Sequence, residues 1–177
     1  MRLSIRSLLL CALFAALMAV CSQLSIPLPM VPINLALLAA LLGGALLGPK
    51  LGAAAIGVYV LVGLMGVPVF ASFGAGPGTL FGKTGGYIIG YVLAAFLTGL
   101  LAGKGKGYWR TCLAMVVGTL ACYLFGTAWF MQVTGMELWL SLTYCVLPFL
   151  PGDGLKILAA AWLSRRLQPH VEEMLAK

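Results

Sequence analysis

The stretch Leu138 to Leu163, LWLSLTYCVLPFLPGDGLKILAAAWL, is apolar enough to lie in a lipid bilayer but is interrupted in its middle. Two prolines and two glycines between Pro148 and Gly154 break it, because proline cannot donate to the helical ladder and glycine frees the backbone. Next to this break, Asp153 and Lys156 stand one helical turn apart. An ionisable pair is costly to keep inside a membrane, so the pattern predicts a functional site, with an internal salt bridge that pins two helices as the alternative.

Composition places the whole chain in the same class. Of its 177 residues, 62% are hydrophobic and 8% charged, whereas about a quarter of a soluble domain is charged. We therefore predict an all-α integral membrane protein with a single transmembrane domain, residues 1–177. The five cysteines form no CxxC pair and lie in apolar runs, and the sole histidine, His170, lies in the polar tail. This pattern predicts neither a disulfide framework nor a metal site.

Apolar runs along the chain predict six transmembrane helices in a compact bundle, the last one interrupted near Pro148 to Gly154. The six runs are Ser4 to Leu24, Leu35 to Leu47, Leu51 to Ala71, Thr84 to Ala102, Thr111 to Val133 and Leu138 to Leu163. The first, at about 31 Å, is interpreted as a helix rather than a signal peptide, because Val20 stands where cleavage would need a small residue. After the break, Leu155 to Leu167 would reach only about 20 Å. The charged pair is therefore expected at or just inside one membrane face, beside irregular backbone.

The distribution of basic residues predicts the orientation. Nine of them fall on one side of a six-span arrangement, and the nine are Arg2, Arg6, Lys50, Lys104, Lys106, Arg110, Arg165, Arg166 and Lys177. Only Lys83 and Lys156 fall on the other side. The positive-inside rule then puts both termini in the cytoplasm of a plasma-membrane protein. Anionic lipid explains the net charge of +7, so we expect no nucleic acid partner.

Three predicted outer loops contain or adjoin the polar residues that could bind a ligand: Asn34, Lys83, Thr84, Asp153 and Lys156. Ser25 to Asn34 is proline-rich and resembles a lid, Phe73 to Tyr87 is glycine-rich and leads into the fourth helix, and Met136 to Asp153 leads to the charged pair. We expect them to converge on one binding site that is open to the outside. The glycine-rich loop ends in Gly-Lys83-Thr, as a phosphate-binding P-loop does, but its glycines have the wrong spacing for one. We expect this loop instead to present backbone N–H groups and the charge of Lys83 to an anionic group.

Small residues on the first predicted helix recur at four-residue spacing. Ala12 and Ala16 form one such pair, and Ala15 and Ala19 form another. Small side chains permit close approach of another helix. Docking of a partner and ordinary packing within the bundle both fit this pattern, and the sequence leaves both open.

The residues also carry a family resemblance. The chain resembles the BioY family, the biotin-specific substrate-binding subunits (S components) of energy-coupling factor (ECF) transporters. Matching segments are Ala12 to Val20, the loop that reaches Asn34, Gly74-Ala-Gly-Pro-Gly78, Thr84-Gly-Gly-Tyr87, and Pro151-Gly-Asp153 with Lys156. The resemblance implies a six-helix fold that binds biotin as transported substrate, without a cofactor. It also implies docking of the alanine-rich first helix on a transmembrane coupling protein that is driven by an ATPase pair. Lys83 departs from the family pattern, in which proline or arginine is more usual.

A biotin ligand suggests a role for each candidate residue. Asp153 would accept from the ureido N–H groups, and Lys156 or Asn34 would donate to the ureido carbonyl. Lys83, Thr84 and the amides of the loop with Gly74 and Gly76 would take the carboxylate, while Tyr59, Tyr87 and Trp139 offer aromatic faces to the ring. Two lysines and one carboxylate also allow the opposite orientation of the ligand.

Two other classes of function can be compared with this one on the same residues. A small self-sufficient secondary transporter that acts as a homo-oligomer also fits six spans and one charged pair. An intramembrane enzyme fits poorly, because no predicted span contains histidine and Asp153 has no acidic neighbour. We therefore expect transport rather than catalysis. Because the sequence contains no nucleotide-binding motif, the energy for transport is expected to come from partner subunits.

Overall fold

A computed structural model describes residues 4–26, 30–103 and 107–176. These residues form seven α-helices, one 3-10 turn and one short hairpin. The helices are α1 (Ile5–Gln23), α2 (Ala36–Leu64), α3 (Gly76–Leu80), α4 (Gly85–Ala102), α5 (Tyr108–Thr134), α6 (Leu138–Cys145) and α7 (Leu150–Ala176). The hairpin pairs β1 (Ser25–Ile26) with β2 (Ile33–Asn34), and the 3-10 turn is Ala71–Phe73.

The helices have the length and composition of a membrane protein. Within the described residues, α1, α2, α4 and α5 are each long and apolar enough to cross a bilayer. The pair α6 and α7, bent by 52° at the break between them, counts as a fifth span if it is taken as one. Large apolar side chains such as Leu9, Leu113 and Leu124 are exposed on the outside of the bundle, as expected for groups that face lipid. The predicted class, an all-α integral membrane protein, is confirmed.

Helix α2 is broken in the middle and folds back on itself. Gly48 has a φ of +79°, outside the helical region, and Pro49 follows it. A Cβ atom built on Gly52 would lie 2.9 Å from the carbonyl oxygen of Gly43, although nine residues of straight helix would span about 13.5 Å. The two halves therefore pack side by side and correspond to the predicted runs Leu35 to Leu47 and Leu51 to Ala71. The second half ends earlier than predicted, at Leu64, shortly before a proline.

The break near the last helix lies earlier than the sequence indicated. The prediction of a short helix that begins at Leu155 is wrong, because α7 already begins at Leu150 and the break comes directly before it. Pro151 lies in the first turn, where a missing N–H is tolerated. Asp153 and Lys156 therefore lie on regular helix rather than in a loop. Lys156 is buried inside the bundle, so it is not a loop charge that bears on orientation.

Helix α4 lies at the centre of the bundle, between α2 and α5. Glycines allow these close contacts: a Cβ atom on Gly44 would meet the backbone of Ala95, and one on Gly90 would lie 2.9 Å from Sγ of Cys122. Because Gly90 contacts Cys122 while Arg110 donates to the carbonyl of Leu101, α4 and α5 run antiparallel.

This packing gives the bundle two chemically different ends. One end carries the hairpin, the 3-10 turn and the beginning of α4. The described basic residues Arg6, Lys50 and Arg110 lie at the other end, at the start of α1, after the bend of α2 and at the start of α5. Among the residues used to predict orientation, Arg2, Lys104, Lys106 and Lys177 lie outside the described residues.

Candidate substrate-binding site

Two adjoining cavities lie at the end of the bundle that carries the hairpin. The outer cavity measures about 210 Å³ and the inner one about 30 Å³. Among the described residues, five line both of them: Val31, Pro32, Asn34, Tyr87 and Tyr91. The cavities are therefore two compartments of one site, separated by shared side chains.

Loop segments form much of the wall of the outer cavity. These are Met30 to Pro32 in the hairpin, Phe70 with the first two residues of the 3-10 turn, Ala71 and Ser72, and Lys83 with Thr84 before α4. Lys83 is exposed at this end, which brings a positive charge to the mouth of the cavity. The proline-rich segment and the glycine-rich segment that were predicted to converge do lie on the same cavity.

The segment that contains the 3-10 turn is held in place by Gln23, the last residue of α1. Its Nε2 donates to the carbonyl oxygens of Pro68 and Phe70, both at 2.9 Å, and its Oε1 accepts from the backbone N–H of Phe73 at 3.1 Å. Ser72 and Phe73 both have positive φ, 56° and 58°, a region that non-glycine residues seldom adopt. Three hydrogen bonds from one side chain thus stabilise a strained wall of the outer cavity.

Asn34 stands at the boundary between the two compartments. Its Oδ1 accepts a hydrogen bond from the backbone N–H of Ala36 at 3.0 Å, which fixes the side chain at the start of α2. The side chain also interacts with the hydroxyl group of Tyr91. An amide that is oriented by the backbone in this way is a prepared hydrogen-bonding group for a ligand.

Two tyrosines present their rings to the cavities while their hydroxyl groups are engaged elsewhere. The Tyr59 hydroxyl lies 2.8 Å from Oγ of Ser22, and the Tyr59 ring meets Phe70 edge to face. The Tyr87 hydroxyl lies 2.9 Å from Oγ1 of Thr127. With their polar atoms satisfied, the rings serve as apolar walls.

The polar end of the inner cavity is a buried ion pair. Nζ of Lys156 donates to Oδ1 of Asp153 at 2.6 Å, and the two residues are only 8% and 4% exposed. Tyr123 on α5 donates its hydroxyl proton to Oδ2 of the same carboxylate. A buried charge pair is tolerated when further hydrogen bonds satisfy it, as they do here.

The structure brings together most of the residues that the sequence singled out. Asp153 and Lys156 line the inner cavity, and Asn34 and Tyr87 line both cavities. The outer cavity is lined by Tyr59, Lys83 and Thr84.

Three of the candidates lie elsewhere. Gly74 and Gly76 lie next to the 3-10 turn and at the start of α3, and neither lines the two described cavities. Trp139 is 76% exposed on α6.

Sequence reasoning missed two tyrosines of the site. Tyr91 lies one turn after Tyr87 on the same face of α4, a spacing that could have indicated it. Tyr123 gave no comparable local signal, because its partner Asp153 is 30 residues away in the sequence.

The two alanine pairs of α1 point in different directions. Ala12 and Ala16 are exposed on the outside of the bundle. Ala15 and Ala19 are partly buried and pack against the buried cluster formed mainly by α1, α2 and α4. Only the first pair is therefore accessible to a partner, while the second pair contributes to packing within the bundle.

Comparison with known proteins agrees with this architecture. The model of the BioY family matches residues 1–173. The chain belongs to the BioY family. The probable biotin transporter BioY of Pyrococcus horikoshii is 40% identical over 159 residues, which cover 90% of this chain and 94% of that protein. The biotin transporter BioY of Thermotoga maritima is 36% identical over 163 residues, 92% of this chain and 96% of the relative.

A solved structure is similar along nearly the whole chain. The S-component for biotin from an ECF-type ABC transporter superposes with a TM-score of 0.84 at 26% identity, covering 93% of this chain and 92% of that one. Family membership confirms the resemblance seen in the sequence. Because the relatives are transporters, the prediction of a multi-pass membrane transport protein rather than an enzyme is confirmed as well.

Proposed function

We propose that this protein is the high-affinity biotin-binding subunit of a vitamin uptake transporter. It captures biotin from the outer face and delivers it inward together with an ECF coupling protein and an ATPase pair. The observation that carries the proposal is the two-compartment site of a BioY-family chain, which ends at the buried pair of Asp153 and Lys156. Biotin is bound here as transported substrate and not as a cofactor.

The chemistry of the inner cavity matches the ureido group of biotin. That group has two N–H donors and one carbonyl acceptor. Asp153 keeps acceptor lone pairs beyond those used by Tyr123 and Lys156, and Lys156 has two further N–H donors. A carboxylate placed at the inner end would meet the like charge of Asp153. We therefore orient biotin with its ureido ring inward.

The outer cavity suits the rest of the ligand. The apolar ring and the hydrocarbon chain would pass between the aromatic walls formed by Tyr59, Tyr87 and Tyr91. The carboxylate of biotin would then lie towards Lys83 and Thr84, which border this cavity before α4.

We propose six membrane spans with both termini in the cytoplasm. Two observations support the count. Helix α2 folds back at Gly48, so we take each half as one span, and α6 meets α7 at a bend of 52°, so we take that pair as one span. The orientation follows from the described basic residues at the end opposite the cavities. A reporter fused to the carboxyl terminus is expected to be active only in its cytoplasmic form, and an extracytoplasmic result would reverse the orientation.

The exposed face of α1 is the proposed docking surface for the coupling protein. Ala12 and Ala16 lie on it beside exposed apolar side chains such as Leu9 and Leu13, so another helix can approach closely. Ala12→Trp with Ala16→Trp is expected to abolish uptake while biotin binding persists. The matched control is Leu113→Trp, an exposed position on α5, which should leave uptake unchanged. Uptake that survives the double substitution would move the docking surface elsewhere.

The need for partners has its own test. Vesicles that contain only this chain are expected to bind biotin without accumulating it. Addition of the coupling protein and the ATPase pair should then give ATP-dependent accumulation. If the chain alone accumulated biotin, it would be a self-sufficient transporter.

Equilibrium binding of labelled biotin to the purified protein tests the proposed function directly. We expect tight, saturable binding by the wild type and severely weakened binding by Asp153→Asn and Lys156→Ala. A folded wild-type sample that does not bind biotin would overturn the proposal. Unchanged affinity in both variants would remove the ion pair from the site.

A further inference from the structure

Tyr123 connects the ion pair to a second helix. It lies on α5, is 8% exposed and lines the inner cavity, where its hydroxyl group donates to Oδ2 of Asp153. Lys156 occupies the other oxygen, Oδ1, at 2.6 Å. The carboxylate is therefore held between a donor from α5 and a donor from α7.

Lys156 and Tyr123 differ in how far each can fix the direction of the Asp153 carboxylate. Lys156 lies three residues from Asp153 on the same helix and reaches it through a flexible four-carbon chain, so it moves with α7. Tyr123 carries its hydroxyl on a rigid ring that belongs to the buried cluster around Cys122 and Phe149. The direction of the carboxylate relative to the rest of the bundle is thus set by Tyr123.

This arrangement leaves a defined part of the carboxylate available. Two carboxylate oxygens offer about four lone-pair positions, and each of the two donors takes one. The remaining positions can accept a hydrogen bond from an N–H group of a ligand in the inner cavity. A carboxylate free to rotate would lose this match, because groups that bind polar ligands gain affinity from being held in place beforehand.

We propose that Tyr123 is a positioning residue for substrate binding, which holds the Asp153 carboxylate so that a free lone pair meets an N–H donor of a cyclic urea. The inference rests on the proposed function, since biotin supplies that ureido ring. Tyr123 acts through Asp153 and does not itself need to contact the ligand.

Biotin affinity is the first measurement for this inference. Tyr123→Phe keeps the packed ring and removes only the hydroxyl, so we expect the fold to persist and biotin affinity to fall roughly tenfold, as for loss of a hydrogen bond to a charged group. The matched control is Thr119→Val on the same helix. Its buried hydroxyl donates to the carbonyl of Met115 at 2.9 Å, away from both cavities, and its loss should leave affinity unchanged.

The second measurement separates positioning from packing. Asp153 is the only aspartate in the sequence, so [4-13C]aspartate labels a single side chain for infrared spectroscopy. We expect Tyr123→Phe to shift or broaden the Asp153 carboxylate band before biotin is added, and Thr119→Val to leave the band as in the wild type. Wild-type affinity in Tyr123→Phe, or reduced affinity with an unchanged band, would overturn the inference alone. A wild type that binds no biotin would overturn the proposed function, and this inference with it.

Discussion

The outer and inner cavities adjoin each other but are built in different ways. Much of the outer wall consists of loop segments, such as Phe70 to Ser72 and the residues before α4. The polar groups that distinguish the inner cavity, Tyr123, Asp153 and Lys156, lie on regular helix. Helix packing fixes the inner groups, whereas the outer groups depend on the conformation of short connections. The inner compartment is therefore suited to discriminating a ligand, and the outer one to admitting it.

The two compartments also differ in how strongly solvent and salt screen their charges. Asp153 and Lys156 are buried, so their interaction is little screened by water or salt. Lys83 is exposed, and the field of an exposed charge is weakened by solvent and by counterions. Substitutions should consequently have large, salt-independent effects in the inner cavity and small, salt-dependent effects in the outer one.

The largest effect is expected from Asp153→Asn. The substitution leaves Lys156 buried without its carboxylate partner, and breaking a buried pair in this way costs about 3–5 kcal/mol. We expect biotin affinity to fall by more than about a hundredfold and the thermal unfolding midpoint in detergent to drop. Binding isotherms at low and high salt should give the same loss.

A paired substitution separates the two roles of this ion pair. Asp153→Asn with Lys156→Met removes both charges, so the unfolding midpoint should recover while biotin binding stays absent. If the double variant bound biotin as tightly as the wild type, the pair would contribute only to the stability of the fold.

A smaller loss of biotin affinity is expected when the ring of Tyr87, which lines both cavities, is displaced. A Cβ atom on Gly126 would collide with the ring of Tyr87, so Gly126→Ala should push this ring into the site. We expect biotin affinity to fall roughly tenfold, in line with an overpacking cost of about 1–3 kcal/mol. Gly57→Ala is the control, because a Cβ atom there meets open space. Equal affinity in the two variants would show that the Tyr87 ring does not shape the site.

Lys83→Ala tests the outer cavity with a still smaller expected effect. An exposed charge contributes little, so we expect affinity to fall about two- to fivefold at low salt. The difference from the wild type should shrink as salt is added, because screening weakens the same attraction in the wild type. Lys50→Ala, exposed at the opposite end of the bundle, should bind biotin normally. A loss as large and salt-independent as that of Asp153→Asn would erase the distinction between the compartments.

Gln23→Ala should affect equilibrium affinity least, because it changes the wall of the outer cavity without removing a lining residue. Loss of three hydrogen bonds should raise hydrogen–deuterium exchange in residues 68–73 and speed biotin release. Gln168→Ala is the control: its side chain bonds Glu172 on α7, far from this segment, and exchange in residues 68–73 should stay as in the wild type. Unchanged exchange in Gln23→Ala would mean that the segment is held by other contacts.

Local features of the chain and the convergence of the outer segments were predictable from the sequence, but individual contacts between distant side chains were not. The membrane class and the approximate helical runs follow from composition and hydropathy. The ion pair follows from the three-residue spacing of Asp153 and Lys156, which brings two side chains together on any helix. The start of α7 was misplaced, because the cost of a proline depends on its position in the helix and Pro151 falls in the tolerant first turn.

Two contacts that the sequence analysis missed join distant parts of the chain. Tyr123 meets Asp153 across 30 residues, and Gln23 reaches Phe70 across 47. No local pattern encodes such a pair, since it depends on how whole helices pack. Tyr123 and Gln23 also lie in segments whose apolar composition indicates a membrane helix and nothing more specific.

A structure of the protein with biotin bound tests the central claim most directly. We predict that the ligand spans both cavities, with a ureido nitrogen within hydrogen-bonding distance of the Asp153 carboxylate and the carboxylate of biotin towards Lys83 and Thr84. Biotin confined to the outer cavity, or bound with its carboxylate at Lys156 and its ureido ring outward, would contradict the account.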